Sequence, residues 1–256
     1  MVATPVSAIV LVRNEAKSLA DCLRSLDWAD ERLVIDAFSV DGSAWIEVHG
    51  VRVVERRFKD FADQREAALR LATHDWVFFV DADERVSDDL RDEIVRRVGL
   101  EGLSGYWVPR RNRIFGHWMR ATGWAPDLQL RVMDRRHAVY DRERPVHELA
   151  EIDGRVGHLE CELVHLSYEG VRGFRGRQRI YAELVADGLI RSGVRRRATA
   201  MFFQPMREFW RRMVTLRGYR DGLVGFLLAV LMAEHELCVQ RFFRARRFSG
   251  MRSTKR

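Results

Sequence analysis

The sequence predicts an α/β fold built on a mostly parallel, Rossmann-like sheet flanked by helices, and three observations lead there. Short apolar runs rich in β-branched or aromatic residues, 8–12 (AIVLV) and 76–80 (WVFFV), have the composition of strands buried on both faces. Segments with apolar residues at helical spacing alternate with such runs over about 80 residues, the pattern of parallel crossover units. The chain of 256 residues is 47% hydrophobic and 32% charged, enough for one or two cored domains. That composition excludes both a multispanning membrane protein and a disordered chain, and 5 prolines and 18 glycines exclude a low-complexity one.

Taken in order, residues 8–12 form the first strand. Leu19, Cys22, Leu23 and Leu26 then fall at helical spacing between charges, so 15–26 reads as an amphipathic helix. Residues 32–35 (RLVI) and 51–54 (VRVV) give two short strands, 61–72 a helix and 76–80 a fully apolar strand. Past Asp81 the pattern predicts a helix over 88–98 and strands over 105–110 and 128–133. Short β-like pieces follow within 147–165, broken at Asp153-Gly154 and Gly157. From Gly170 onward the reading is helical. The most apolar stretch, 222–233, ends at Glu234-His235-Glu236 and falls short of the roughly 20 residues needed to cross a bilayer.

Residues 1–12 lack the basic start and the length of a cleavable signal peptide. Cys22, Cys161 and Cys238 are far apart and form no C-x-x-C pair, which argues against a disulfide framework or zinc cage. The formal net charge of +7 is unevenly spread. Residues 1–169 hold 24 Lys+Arg against 31 Asp+Glu, a balance of −7; residues 170–256 hold 20 against 6, a balance of +14. A basic tail of that density points to an anionic partner: nucleic acid, membrane or substrate.

The sharpest feature is the run Asp81-Ala82-Asp83-Glu84, directly after the apolar strand, where ligands bind in open α/β sheets. Asp81 and Asp83 can converge at an extended turn and offer hard oxygens to Mg²⁺ or Mn²⁺. The same residues also fit a solvated acidic loop that caps the helix at Asp88. Glu15 after the first strand and Asp36 after the second place two more carboxylates on the same rim, where a nucleotide fits. Singly, each also reads as a helix cap or turn former.

Residues 7–15 (SAIVLVRNE), 32–43 (RLVIDAFSVDGS), Gln64-Arg65 and 76–85 (WVFFVDADER) resemble the family 2 glycosyltransferases of the GT-A fold. The resemblance continues through 123–131 (GWAPDLQLR), 144–148 (RPVHE) and 165–168 (HLSY), and is nearest to bacterial lipopolysaccharide inner-core β-1,4-glucosyltransferases. It implies a GT-A catalytic domain over 1–169, with a nucleotide-sugar half to about 100 and an acceptor half beyond. A basic helical extension over 170–256 follows. It further implies that Glu15, Asp36, Arg65 and Asp81 meet the donor nucleotide, and that Asp83 and His165 hold the metal. One departure is the segment Ala37-Phe38-Ser39, where the family has small residues; a ring at Phe38 either stacks on the base or crowds it.

An inverting transfer needs a carboxylate to take the acceptor's proton. Glu148 is the first candidate by its position in the resemblance and Asp127 the second, although Asp127 also suits an ion pair with Arg131. Arg110, Arg113, Trp118 and Trp124 form a basic, aromatic stretch that reads as an acceptor surface, arginine forks for phosphate and ring faces for sugar. The bland alternative is a solvated loop with core aromatics. In the tail, arginines mixed with Met201-Phe202-Phe203 and Phe209-Trp210 suit an interfacial helix on anionic lipid. A helical bundle with solvated arginines is the alternative, and nucleic acid is the weakest partner because no groove-reading motif is present.

The expected protein is therefore a cytoplasmic enzyme peripherally bound to the inner membrane. It moves a sugar, glucose from a UDP-type donor, onto a lipid-linked saccharide such as lipopolysaccharide inner-core heptose. The alternatives are a noncatalytic GT-A-fold membrane assembly factor and a nucleotide-sugar enzyme acting on another cell-envelope glycan. A nucleotidyltransferase would need a glycine-rich phosphate loop after the first strand, and Arg13-Asn14-Glu15 stands there instead. The oligomeric state stays open.

Overall fold

The computed structural model describes residues 4–43, 49–100, 102–140, 150–194 and 199–253, with side chains through residue 246. The elements are, in chain order, β1 (Val6–Val12), α1 (Ala16–Arg24), β2 (Glu31–Asp36), β3 (Val51–Glu55), α2 (Phe61–Leu71), β4 (Trp76–Asp81), β5 (Glu84–Arg85) and α3 (Asp88–Arg97). They continue as β6 (Gly105–Ile114), β7 (His117–Trp118), β8 (Leu128–Asp134), β9 (Ala138–Tyr140), β10 (Ala150–Ile152), β11 (Val156–His158) and β12 (Leu163–Leu166), and end with α4 (Val171–Arg191), α5 (Ala200–Trp210) and α6 (Gly222–Ser253). The chain divides into two compact units, 1–111 with 127–166 and 112–126 with 167–256.

In the first unit the sheet order is β3-β2-β1-β4-β8-β6-β12-β5. The first four strands are parallel, and β8 and β6 add antiparallel neighbours. β1 is apolar from Ala8 to Val12, with only the buried Ser7 polar, because both its faces are covered. Val6, Ala8, Val10 and Val12 pack with Leu19, Cys22 and Leu23 of α1. Ile9 packs on the other face with Leu33, Val77, Phe79 and Ala68. Register aligns the carboxyl ends: Val12 pairs with Asp36 and Leu11 with Asp81. The carboxylates at the ends of β2 and β4 therefore lie on one rim.

Helix starts follow from local chemistry. Asp60 Oδ1 accepts from Asp63 N at 2.7 Å to cap α2, and Ser87 Oγ accepts from Leu90 N at 3.2 Å to cap α3. The α3 cap is thus Ser87, and the acidic run before it is no solvated cap, since Glu84 has 0% exposure.

In the second unit Phe174 is fully buried among the rings of Tyr168 (4.6 Å), Phe115 (5.9 Å) and Trp124 (6.3 Å). Asp221 holds the 112–126 segment by accepting from Arg120 N at 2.7 Å and Thr122 Oγ1 at 2.5 Å. That segment, expected in the acceptor half of the catalytic domain, groups with the helices instead. Gly225 permits the close approach there, because a Cβ would stand 2.1 Å from the Gly218 carbonyl oxygen.

The expectation that the apolar stretch is too short to span a bilayer needs correction. The helical run Gly218–Arg246 is long and apolar enough by length and composition, and 28% of its most apolar window is buried within the chain. Helical continuity carries the apolar residues past Glu234-His235-Glu236, which sequence reading took as a stop.

Candidate active site

The site lies on the carboxyl rim of β1, β2 and β4 in the first unit. Its first part is a stitched loop. After β2, Asp36 is fully buried and accepts from Ser39 N at 2.8 Å and Ser39 Oγ at 2.5 Å. Ser39 Oγ in turn accepts from Asn14 N at 2.8 Å, and Val40 N donates to Asn14 Oδ1 at 2.9 Å. Ser43 Oγ accepts from Glu15 N at 2.9 Å, and Asp41 Oδ2 accepts from Ala16 N at 2.9 Å. These bonds tie the β2 loop to the β1–α1 turn and leave a cavity of about 310 Å³ lined by Arg13, Ala37, Phe38, Arg57 and Phe58. Phe38 takes a left-handed φ of 55° and is 56% exposed, so its ring stands at this cavity rather than in the core.

The second part is the end of β4. The short β5–β12 ladder sets His165 opposite Glu84, and Leu166 N donates to Asp83 O at 2.9 Å. His165 Nε2 thereby stands 3.4 Å from Asp83 Oδ2, both side chains mostly buried. Beneath them the Cys22 thiol contacts Asp81 O at 3.5 Å, and burial pushes it up to about 12, so it is unreactive.

The third part is a charge cluster. Arg131, 3% exposed, donates through Nη2 to Asp81 Oδ2 at 2.5 Å and to Glu84 Oε1 at 2.9 Å. Arg110 donates to Asp127 Oδ2 at 2.8 Å and to Glu84 Oε1 at 3.2 Å, and Arg65 stands 3.8 Å from Asp81. Burial raises the Asp81 carboxyl, but Arg131, Arg65 and Arg110 outweigh it and hold the group well below the usual carboxylate range. For Glu84 burial prevails over Arg131, and the neighbouring Asp81 charge adds to it, so its carboxyl is pushed up.

Of the residues singled out from sequence, the fold gathers Asp81, Asp83, His165, Arg65, Arg110 and Asp127 at the end of β4. Asp36 and Glu15 lie in the stitched loop, with Asp36 turned to Ser39 and Glu15 preceding α1 without a side-chain cap bond. Asp127 pairs with Arg110 and accepts from Gln129 at 2.6 Å, while Arg131, the partner its sequence alternative named, donates to Asp81 and Glu84. Glu148 lies outside the described residues.

The proposed acceptor residues divide. Arg110 sits in the charge cluster of the first unit. Arg113 and Trp118 pair across the β6–β7 hairpin of the second, the guanidinium 5.6 Å from the ring centre. Trp124 packs on Phe174 beneath Arg212, whose guanidinium lies 4.5 Å away, so it serves the core of its unit. Sequence reasoning missed Glu84 and Arg131 as members of the site. Glu84 is one charge in the acidic run that follows β4, and Arg131 a single arginine in the otherwise uncharged first six residues of β8; neither pattern marks a buried ion pair unless the partner is known.

Comparisons with known proteins follow the same lines. The profile described as glycosyl transferase family 2 matches residues 7–155. The lipopolysaccharide core biosynthesis glycosyltransferase LpsC of Rhizobium meliloti is 28% identical over 234 residues, 88% of this chain and 87% of that protein. An uncharacterized glycosyltransferase of Rickettsia felis is 34% identical over 91 residues, 35% of this chain and 32% of that protein, so the chain spans about a third of its length. Among solved structures, GalNAc-T7 with UDP, GalNAc and Mn²⁺ has a TM-score of 0.53 at 13% identity, covering 64% of this chain and 44% of that chain, a likeness of fold.

Proposed function

Because the chain belongs to glycosyl transferase family 2, we propose that it is a metal-dependent, inverting transferase that moves glucose from a uridine diphosphate donor onto a lipid-linked saccharide such as lipopolysaccharide inner-core heptose. The observation behind this reading is the Asp83–His165 pair, 3.4 Å apart beside Asp81 on the carboxyl rim. One carboxylate and one imidazole suit Mn²⁺ or Mg²⁺, with Mn²⁺ the better match to nitrogen. Among the described residues no group of three or more His, Cys, Asp or Glu gathers to hold an ion alone. The pair therefore fits an ion shared with the donor's diphosphate. When bound, that ion offsets charge developing on the leaving diphosphate.

The chain's own residues do the rest. Arg131 and Arg65 fix the Asp81 carboxylate in its charged form beside the ribose, and the Asp36–Ser39 loop shapes the base cavity. Glu148 is the first candidate for the carboxylate that takes the acceptor hydroxyl's proton, and Asp127, which pairs with Arg110, is the second. The kinship with LpsC supports a lipopolysaccharide-type acceptor. The balance of +14 over residues 170–256 supports a peripheral place on the anionic cytoplasmic face of the inner membrane.

Calorimetric titration with UDP-, GDP- and dTDP-sugars, with Mn²⁺, Mg²⁺ or neither, tests the core of this reading. A UDP-sugar binds with a divalent ion, His165→Ala removes the ion-dependent part, and Glu148→Gln keeps donor binding while losing transfer by ~10²–10⁴-fold. Failure of every nucleotide to bind refutes the proposal.

A further inference from the structure

The second unit carries an apolar surface that the chain itself does not cover. An amphipathic helix of a water-soluble protein turns its apolar stripe inward. In α5 the opposite holds: none of its residues is buried. Phe202, Phe203, Met206 and Trp210 are 70%, 66%, 67% and 64% exposed. At about 100° per residue these four positions fall on one side of the helix. Phe209, on the neighbouring side, meets the ring of Phe226 at 5.8 Å and docks α5 on α6. The helix is therefore anchored by one edge and presents its largest side chains outward.

The surroundings of this stripe are cationic. Arg207, Arg211, Arg217 and Arg220 are exposed on or just beyond α5, and residues 170–256 hold 20 Lys+Arg against 6 Asp+Glu. Aromatic and thioether side chains flanked by arginine match a bilayer interface, where rings enter the acyl boundary and guanidinium groups meet phosphates. A protein partner would need an apolar groove ringed by acid; an anionic bilayer offers both layers at once.

A membrane-spanning role for α6 fits less well. From Glu234 onward α6 is tied to α4 by polar pairs, Arg175–Glu234 at 2.8 Å, His235 Nδ1 to Gln178 O at 3.0 Å, and Arg246 with Glu183 and Asp187. Hydrocarbon on either side would strand those charges.

We infer that α5 is an in-plane membrane anchor, whose Phe202–Phe203–Met206–Trp210 face inserts into the interface of an anionic phospholipid bilayer. This deepens the membrane-surface part of the proposed function and rests on it for its purpose. It is measured without donor or acceptor, so loss of transfer and loss of anchoring remain separable.

The test is sedimentation of the full chain with phosphatidylcholine vesicles, with and without phosphatidylglycerol. The wild-type protein pellets with the anionic vesicles and is released by high salt. The variant Phe202→Glu/Phe203→Glu, altered where the side chains already face solvent, loses at least ~10-fold in partitioning, whereas Ile180→Glu, an exposed site on α4, partitions like wild type. Brominated lipid quenches tryptophan emission in the wild type and much less in Trp210→Phe. Equal pelleting of the Phe202/Phe203 variant and wild type overturns the inference. So does resistance of the membrane-bound protein to salt and carbonate extraction, which means a spanning helix. A vesicle-free dimer that the same double substitution dissolves, with lipid binding unchanged, assigns the face to a second copy and also overturns it.

Discussion

At the scale of single residues, the site depends on a balance of charges that burial makes expensive. Arg131, Arg110 and Arg65 stand against Asp81, Glu84 and Asp127, and Glu84 has no exposure at all. A buried pair contributes little net stability, but removing one member strands the other. Arg131→Met therefore costs about 3–5 kcal/mol by leaving Glu84 and Asp81 without their shared cation. Adding Glu84→Gln to that variant restores a substantial part, because the stranded charge is gone. Urea titrations of both singles and the double check this; strict additivity of the two losses would show that Arg131 and Glu84 do not act as a pair. Arg131 also keeps Asp81 ionised below the usual carboxylate range, so donor binding weakens in Arg131→Met even under conditions where the protein stays folded.

Elements are where the sequence was most legible. β1 and β4 are almost wholly apolar because both faces are packed, with Ser7 near the start of β1 and Asp81 at the end of β4 as their polar residues, and α1 announces itself by Leu19, Cys22, Leu23 and Leu26 at helical spacing. The rim placement of Asp36, Asp81 and Asp83 followed from strand ends alone. Illegible were the features that depend on distant pairing. The β5–β12 ladder, with two residues in β5, brings His165 to Asp83 across more than eighty positions of chain; no local pattern encodes it, and only the family resemblance put the two residues together. Likewise Arg110, placed with an acceptor surface by its aromatic neighbours, proved to face inward because β6 pairs with β8 and its register sets it beside Asp127. Phe38 holds a left-handed backbone that costs a non-glycine residue roughly 1–2 kcal/mol. Phe38→Gly relieves that strain while enlarging the entropy of the unfolded chain, so stability changes by less than about 1 kcal/mol. Nucleotide affinity, by contrast, falls if the ring packs on the base. A calorimetric titration with UDP decides it: tighter binding in Phe38→Gly would mean that the ring crowds the cavity instead.

For the whole molecule, charge partition governs the response to acid. The first unit draws stability from carboxylates held below their ordinary values. Burial raises Glu31, Asp81, Glu93 and Asp134, but hydrogen bonds and arginines more than offset it: Ser7 and Thr73 for Glu31, Arg131 for Asp81, the Cys161 and Glu160 amides for Glu93, and Arg136 for Asp134. A carboxylate with a depressed folded value contributes stability that is present above its unfolded value, about 4, and lost as pH falls through the folded one. Glu84 has the opposite sign: with its value raised by burial, its ionised form destabilises, and acid relieves it. Several depressed groups against that one make the net slope of the first unit downward below about pH 4. In the second unit Glu208 is held low by Arg211 and Arg212 against burial, so the same loss occurs there on a smaller scale. Hydrogen exchange read by mass spectrometry at neutral pH and near pH 3, corrected for intrinsic rates, separates the units. Peptides from β1 and β4 lose protection on acidification by a larger factor than peptides from α4 and α6. If the helices open first, the stability of the protein is set by repulsion among the arginines of the basic region rather than by the carboxylates that shape the catalytic rim.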